Sequence, residues 1–301
     1  MPKKFLLNIC GPTAVGKTDV ALYWAQRLGC PILSTDSRQC YKELAIGSAP
    51  PSIKERGRVP HYFIADRRVH EPITAGEYEH FALKTLNTLY QEYDVVVAVG
   101  GSGMYIQALL YGLDALPTDQ KIKSALENKL KENGLEYMQQ LLIAADPEYA
   151  RKVDLQNSRR IIRALEVIEI TGTKLSSQLH NRPKDRPFTI VNWVLTMERT
   201  LLYQRINQRV LLMMDEGLQE EAHNLLPHAN LPSLQTVGYR EWWPYFKGEY
   251  DLDRTIELIQ QFSRRYAKRQ LTYFKRFEKA LWLDPNNINS QEESLRKAGV
   301  L

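Results

Sequence analysis

The sequence has few cysteines and no long apolar run. Its 301 residues include three cysteines, Cys10, Cys30 and Cys40, and no two of them form a CxxC pair. An odd number of widely spaced cysteines argues against a disulfide framework and against a zinc site. No stretch approaches the roughly 20 consecutive apolar residues that a membrane-spanning helix needs. We therefore expect reduced thiols in a cytoplasmic protein that has no membrane partner.

The sequence also lacks a strong charge of either sign. Its 40 basic and 35 acidic side chains give a formal net charge of +5. This charge permits a polyanionic partner but does not require one. Hydrophobic residues make up 44% and charged residues 25% of the chain, which is an ordinary globular balance. The length allows one large domain or two modest ones.

One segment carries a specific phosphate-binding pattern. Residues 11–18, GPTAVGKT, match GxxxxGK[ST] and lie between a predicted strand at 5–10 and a predicted helix at 17–28. Backbone N–H groups of such a loop and of the following helix point at anionic oxygens. The pattern predicts phosphate binding by Gly11, Thr13, Ala14, Val15, Gly16 and Lys17, with Thr18 as an oxygen ligand for Mg²⁺. The alternative is a glycine turn with a surface lysine.

An acidic residue at the end of a second apolar strand is missing. Nucleotide hydrolases use such a residue to hold Mg²⁺. The apolar run at residues 94–99 ends instead in Gly100-Gly101-Ser102. This absence argues against ATP hydrolysis.

Strand and helix patterns alternate at both ends of the chain but not in the middle. Apolar runs at 5–10, 31–35, 94–99, 189–195 and 280–283 predict strands. Thr74 and Glu77 have the spacing of a capping box and predict a helix that extends to about residue 93. Further helices are predicted over 158–171, 199–226 and 254–279, and residues 181–187 have the composition of a linker.

These patterns predict an α/β fold. Strands that alternate with helices indicate a parallel sheet covered on both faces. We therefore expect a P-loop NTPase-like parallel sheet core over residues 1–117 and 188–301, interrupted by an all-helical insertion domain at 118–187.

Several further segments, in chain order, resemble those of the bacterial tRNA dimethylallyltransferases (isopentenyl-diphosphate:tRNA transferases). After the phosphate loop come STDSRQCYK at 34–42, VGGSGMY at 99–105, RRIIRALEV at 159–167, VGYR at 237–240 and AKRQ at 267–270. The resemblance implies transfer of a dimethylallyl group from its diphosphate to N6 of adenosine 37, next to the anticodon, in tRNAs that read codons beginning with U. It also implies Mg²⁺, contact with the anticodon stem-loop through the helical insertion, and a monomer.

The resemblance further implies roles for particular side chains. Asp36 is the expected general base, and the hydroxyl of Ser102 lies beside the donor diphosphate and the reacting amine. Lys17, Thr18 and a helix-borne arginine, Arg209 in preference to Arg205, stabilise the departing diphosphate. From the residues alone, Asp36 could equally cap a turn, and the residues around Ser102 could form a plain glycine turn.

The resemblance also implies a set of tRNA contacts. They map to Asp36, Ser37, Arg38, Gln39, Ser102, Lys123, Asn157, Ser158, Arg159, Arg160, Ile161, Gln235, Thr236, Val237, Gly238, Tyr239 and Arg240. Gln39 is a candidate for hydrogen bonding to an adenine that has left its stack. The basic run at 264–276, with its interleaved aromatic residues, fits phosphate and base contacts, or else an amphipathic helix whose aromatic side chains face the core.

The sequence departs from the family pattern in two places. Ser102 stands where threonine is frequent, which keeps the hydroxyl. The family segment GTAKP is replaced by residues 47–51, GSAPP, so Pro50 stands where the family has lysine. The competing functions are a P-loop small-molecule kinase, an adenylate prenyltransferase, and an RNA-binding protein that keeps the loop only as scaffold.

Overall fold

The computed structural model describes residues 3–180 and 182–301 of the chain. Within them one sheet contains β1 (Phe5–Cys10), β2 (Ile32–Ser34), β3 (His61–Tyr62), β4 (Val95–Gly100), β5 (Thr189–Leu195) and β6 (Leu281–Leu283). The strand order is β3-β2-β4-β1-β5-β6, and each neighbouring pair is parallel. The predicted α/β fold with a parallel sheet is therefore confirmed.

Helices separate and follow these strands. In chain order they are α1 (Lys17–Arg27), α2 (Ile53–Arg56), α3 (Ala75–Leu89), α4 (Gly103–Tyr111), α5 (Gln120–Ala145), α6 (Pro147–Lys152), α7 (Ser158–Thr171), α8 (Leu175–Gln178), α9 (Arg199–Asp215), α10 (Leu218–Asn224), α11 (Trp242–Phe246), α12 (Leu252–Phe274) and α13 (Ile288–Ala298). No helix in the described ranges is long and apolar enough to cross a bilayer.

The chain divides into two compact units. The first, here called the core unit, is Met1–Leu110 with Asp185–Leu301, and the second, the helical unit, is Tyr111–Lys184. The helical unit begins at Tyr111 rather than at residue 118, and it ends at Lys184 rather than at residue 187. Residues 182–186 of the predicted linker have no regular secondary structure, and its first residue, Asn181, lies outside the described residues.

The sheet explains where a functional site can form in the core unit. All six residues of β1 are buried, and β1 pairs with β4 on one side and β5 on the other. The chain turns from one half of the sheet to the other around β1, and ligands of open α/β sheets bind at such a point, beyond the carboxyl ends of the strands. The loops that follow β1, β2 and β4 meet at that edge.

The helical unit has a core of its own. Helix α7 spans the predicted residues, is capped at its start by the Asn157 side chain, and ends at Gly172, whose φ is 66°. Its buried face packs among apolar side chains of α5, which include Leu126, Met138 and Leu142. Helix α5 itself is interrupted at Gly134, where φ is 80°.

Several elements differ from the sequence prediction. The helix expected over 254–279 is α12, which ends at Phe274. The helix expected over 199–226 is two helices, because Gly217 adopts φ 97° between α9 and α10, a left-handed conformation that favours glycine. The strand β3 has two residues, too few for an alternating pattern, and was not predicted. The capping box at Thr74 and Glu77 and the strand at 189–195 are confirmed.

Candidate functional site

The phosphate loop, residues 11–18, connects β1 to α1 as predicted. Gly16 caps the helix with φ 99°, and Ala14 also has a positive φ of 64°. Such left-handed residues turn successive N–H groups toward one side of a loop, which forms an anion-binding concavity. The side chain of Val15 is fully buried in the core, so only its backbone is available to a ligand.

Lys17 lies over this loop and is only half-exposed. Its Nζ donates a hydrogen bond to the carbonyl oxygen of Pro12 at 2.7 Å. Burial lowers the pKa of Lys17 to about 8, although the negative charge of Asp36 acts in the opposite direction. A partly buried ammonium group whose hydrogen-bond partner is a neutral carbonyl is well suited to take an anionic ligand.

Asp36 lies just beyond β2 and caps a local turn, which is one of the two roles that the sequence allowed. Its Oδ1 accepts hydrogen bonds from the backbone N–H of Arg38 at 2.9 Å and of Gln39 at 3.4 Å. This is a local Asx turn. Its Oδ2 has no hydrogen-bond partner among the described residues, and Asp36 lines a cavity that also contains Lys17. One carboxylate oxygen thus orders the turn while the other remains available.

Ser102 supports the segment that carries Asp36. Its Oγ accepts a hydrogen bond from the backbone N–H of Ser37 at 2.8 Å and donates one to Ser37 Oγ at 3.0 Å. Ser102 is only 9% exposed and does not line the cavity in this structure. Its hydroxyl therefore holds the Asp36–Ser37 turn.

Two arginines of α9 add positive charge to the cavity. Arg205 and Arg209 are four residues apart, so they lie on one face of the helix, and both line the cavity. Arg209 Nη2 donates to the carbonyl oxygen of Ala49 at 3.4 Å. Burial lowers the pKa of Arg209, while the Asp36 carboxylate raises it. Together with Lys17 and Arg38, the arginines of α9 provide four cationic groups around one space.

That space has a volume of about 600 Å³, a size typical of ligand-binding pockets. Predicted site residues that line it are Thr13, Ala14, Gly16, Lys17, Thr18, Asp36, Ser37, Arg38, Gln39, Arg209, Thr236, Val237 and Gly238. Part of the wall is apolar and includes Ile64, Val210, Leu212, Met213 and Ile259. A single cavity therefore joins the phosphate loop to Asp36 and to an apolar surface.

A second hydrogen-bond network holds Gln39 and the segment 235–240 in place. Gln39 Nε2 donates to the carbonyl oxygens of Ser48 and Ala49 at 3.3 and 2.9 Å. The Glu221 carboxylate accepts the N–H groups of Ile46 and Gly47 at 2.8 and 3.0 Å and the Tyr239 hydroxyl at 2.6 Å. The loop at residues 46–49 is thereby tied to both segments.

Two residues expected to contact RNA are core residues instead. Tyr239 is 1% exposed, because its ring packs where a side chain on Gly47 would lie. Ile161 is fully buried in the core of the helical unit. Neither side chain is exposed to a ligand in this structure, and both pack against neighbouring residues. Gln235 is exposed and Arg240 is half-exposed.

The remaining predicted contacts belong to the helical unit. Arg159 and Arg160 are exposed in the first turn of α7, and Ser158 and Lys123 are half-buried. The Asn157 side chain accepts the N–H of Arg160 at 3.3 Å and so serves as the helix cap. The two arginines are therefore the members of this set best exposed to a polyanion.

The aromatic residues of α12 and its C-terminal extension fall into two groups. Phe274 and Phe277 are buried, as the amphipathic alternative predicted, whereas Tyr266 and Tyr273 are half-buried. Arg276 lies over the Tyr273 ring at 5.1 Å. The Tyr266 side chain lines the cavity, and burial raises its pKa to about 12.

Two cavity residues of α12, Tyr266 and Gln270, were not predicted as site residues. Gln270 appeared only as part of the segment AKRQ, and Tyr266 only within the basic run. Gln270 Oε1 accepts the Thr13 N–H at 2.9 Å, so this N–H of the phosphate loop is directed at the helix rather than at a ligand. A contact between residues 257 positions apart leaves no local pattern in the sequence.

Comparison with known proteins gives consistent results. Residues 39–277 match the family model described as IPP transferase. The chain is 43% identical to tRNA dimethylallyltransferase 1 of Bacteroides fragilis over 286 residues, which cover 95% of each chain. It is 42% identical to tRNA dimethylallyltransferase of Cytophaga hutchinsonii, with 95% of this chain and 94% of the relative covered.

A solved structure agrees with these matches. The crystal structure of the full-length tRNA isopentenylpyrophosphate transferase from Bacillus halodurans is 33% identical to this chain. The match covers 99% of this chain and 97% of that one, with a TM-score of 0.72. On its family-model match, its sequence relatives and its fold, this chain belongs to the IPP transferase family.

Proposed function

We propose that this protein transfers a dimethylallyl group from dimethylallyl diphosphate to N6 of adenosine 37, next to the anticodon, in tRNAs that read codons beginning with U. The observation that carries the proposal is the cavity, which joins the phosphate loop, the carboxylate of Asp36 and an apolar wall. The tRNA dimethylallyltransferases of Bacteroides fragilis and Cytophaga hutchinsonii, at 43% and 42% identity, support the choice of donor and acceptor.

The donor diphosphate is proposed to lie in the phosphate loop. N–H groups at the start of α1, together with Lys17, Arg205 and Arg209, offset its negative charge. No cluster of three His, Cys, Asp or Glu side chains that could hold a metal occurs in residues 3–180 and 182–301. Mg²⁺ usually binds through one or two protein oxygens and substrate phosphates. Thr18 and the diphosphate would hold the ion, which would add positive charge beside the leaving group.

The short apolar tail of the donor requires a dry surface. Val210 of α9 and Ile259 of α12 line the cavity, are buried, and offer that surface. A water-poor wall protects a developing allylic cation from hydrolysis. We therefore assign the prenyl chain to this side of the cavity.

The transfer itself exchanges one bond for another. The bond between C1 of the prenyl group and the bridging oxygen breaks, and the diphosphate keeps the electron pair. The lone pair of adenine N6 forms the new C–N bond to C1, and Asp36 accepts the N6 proton as general base. Ser102 acts in this scheme by fixing the Asp36–Ser37 turn.

The acceptor is proposed to be the anticodon stem-loop of tRNA. The exposed guanidinium groups of Arg159 and Arg160 suit phosphate contacts, and Gln39 and Arg38 line the cavity where a flipped base would enter. Since both Nε2 hydrogens of Gln39 are directed at backbone carbonyls, its free amide oxygen offers an acceptor to that base.

One assay tests the proposal against its alternatives. Protein, Mg²⁺ and dimethylallyl diphosphate are incubated in parallel with unmodified tRNA and with AMP, and the products are analysed by mass spectrometry. Prenylated adenosine at position 37 is the expected product. Prenylation of AMP alone would indicate an adenylate prenyltransferase. ATP consumption with a soluble acceptor would indicate a kinase.

A further inference from the structure

A buried glutamine on α12 bridges two loops of the cavity. The side chain of Gln270 is 6% exposed. Its Oε1 accepts the backbone N–H of Thr13 in the phosphate loop at 2.9 Å, and its Nε2 donates to the carbonyl oxygen of Gly101 at 2.9 Å. These loops follow β1 and β4, which are neighbours in the sheet. One amide thus joins the diphosphate cradle to the segment at residues 100–102.

The fit around this amide is close. A Cβ atom on Gly101 would lie 2.4 Å from Gln270 Nε2, a distance that real contacts do not show. Because Gly101 has no side chain, the loop lies close enough to α12 for the Gly101 carbonyl oxygen to accept the hydrogen bond from Gln270. A buried amide that loses one of its partners leaves an unsatisfied polar group, so both ends of the bridge resist displacement.

The bridge continues toward Asp36. Gly101 precedes Ser102, whose Oγ accepts the Ser37 N–H at 2.8 Å and donates to Ser37 Oγ at 3.0 Å. Ser37 in turn follows Asp36. A short chain of contacts therefore runs from the phosphate loop through Gln270, Gly101 and Ser102 to the turn that carries the carboxylate.

We propose that Gln270 is a positioning residue that fixes the separation between the diphosphate cradle and the Asp36 carboxylate. The inference rests on the proposed function, because it concerns the alignment of donor and base in that reaction. Gln270 does not touch the reacting atoms in this scheme. It acts through Thr13 on one side and through Gly101 and Ser102 on the other.

Removal of the amide tests this role first. Gln270→Met keeps the length of the side chain and removes both hydrogen bonds. Misplacement of reacting groups by about 1 Å can cost about 10²-fold in rate. We therefore expect kcat for tRNA prenylation to fall by about 10²-fold, while KM for dimethylallyl diphosphate changes by less than about threefold, since the cationic groups remain.

A second variant, Gln270→Glu, should make the loss of activity depend on pH. In Gln270→Glu the ionised carboxylate can still accept the Thr13 N–H but cannot donate to Gly101, whereas the protonated carboxyl can do both. Burial raises the pKa of a carboxyl, so protonation begins above its ordinary range. The activity of this variant relative to wild type should rise as pH falls, by up to about tenfold per unit. The ratio for Gln270→Met should stay flat.

Control experiments distinguish a positioning role of Gln270 from misfolding of its variants and from an error in the proposed function. Gln260→Met removes a hydrogen bond from the same helix to the Asn207 carbonyl, outside the cavity, and should leave kcat unchanged. Binding of inorganic diphosphate, measured by calorimetry, should persist in both Gln270 variants. Wild-type kcat in Gln270→Met, or a flat pH ratio for Gln270→Glu, would overturn the positioning role. Wild-type protein that binds diphosphate but prenylates no adenosine would overturn the proposed function and the positioning role with it.

Discussion

The core unit and the helical unit carry their functional candidates in different ways. In the core unit, Lys17, Asp36 and Arg209 line one cavity and are ordered by hydrogen bonds from several segments. In the helical unit, Arg159 and Arg160 are exposed at the start of α7, and none of their side-chain atoms has a hydrogen-bond partner among the described residues. The first arrangement suits a small anionic ligand, and the second suits an extended anion.

The difference has a physical origin. A charge inside a cavity is costly unless it is paired, so its neighbours must be specified in detail. A charge on a surface helix is solvated whether or not a partner is bound, so its position tolerates change. Substitutions in the core unit should therefore affect rate and donor binding, whereas substitutions in the helical unit should affect RNA affinity and its salt dependence.

The largest effect is expected at Asp36. Asp36→Asn keeps an oxygen for the Arg38 N–H but removes the base, so kcat should fall by about 10²–10⁴-fold. Affinity for tRNA should be unchanged in a filter-binding or fluorescence assay. Asp66→Asn is a control for the loss of a carboxylate charge, because Asp66 is exposed and does not line the cavity. If Asp36→Asn turned over at the wild-type rate, the assignment of the base would be wrong.

The next effect concerns the charge of Lys17. Its pKa of about 8 in the free protein means that its charge is present below pH 8 and is lost as pH rises through that value. Affinity for inorganic diphosphate should therefore weaken by up to about tenfold per unit above pH 8. Calorimetry from pH 7 to pH 9.5 measures this dependence.

A Lys17→Met variant provides the reference for that titration. It should bind diphosphate more weakly at every pH and retain only the pH dependence that comes from the ligand itself. An identical pH dependence in wild type and variant would show that Lys17 does not titrate in this range.

The sequence predicts features that arise from consecutive residues, and it does not predict features that arise from contacts between distant segments. The strands at 5–10 and 189–195, helix α7 and the phosphate loop were predicted from consecutive residues, because burial, capping and glycine turns are local. The break at Gly217 was missed because a glycine within a helical pattern does not reveal its φ. The bridge by Gln270 and the burial of Tyr239 and Ile161 depend on packing between distant segments, which no single segment records.

The smallest effect is expected for Arg159 and Arg160 of the helical unit. If Arg159 and Arg160 contact phosphates, replacing both by alanine should weaken tRNA binding about uniformly across sequences and lower the salt slope by about 1 per lost contact. The affinity for inorganic diphosphate and the unfolding temperature should not change, because both side chains are exposed. Binding measured between about 50 and 200 mM salt gives the slope.

A matched substitution in the same unit sharpens this result. Arg163 also belongs to α7, but it is paired with Glu166 at 2.8 Å and donates to the Pro117 carbonyl at 2.8 Å. Arg163→Ala should therefore lower stability and leave the salt slope unchanged, since the Glu166 carboxylate already neutralises the charge of this guanidinium. An equal loss of slope per removed charge in the two variants would mean that net charge alone, rather than the exposed start of α7, attracts the RNA.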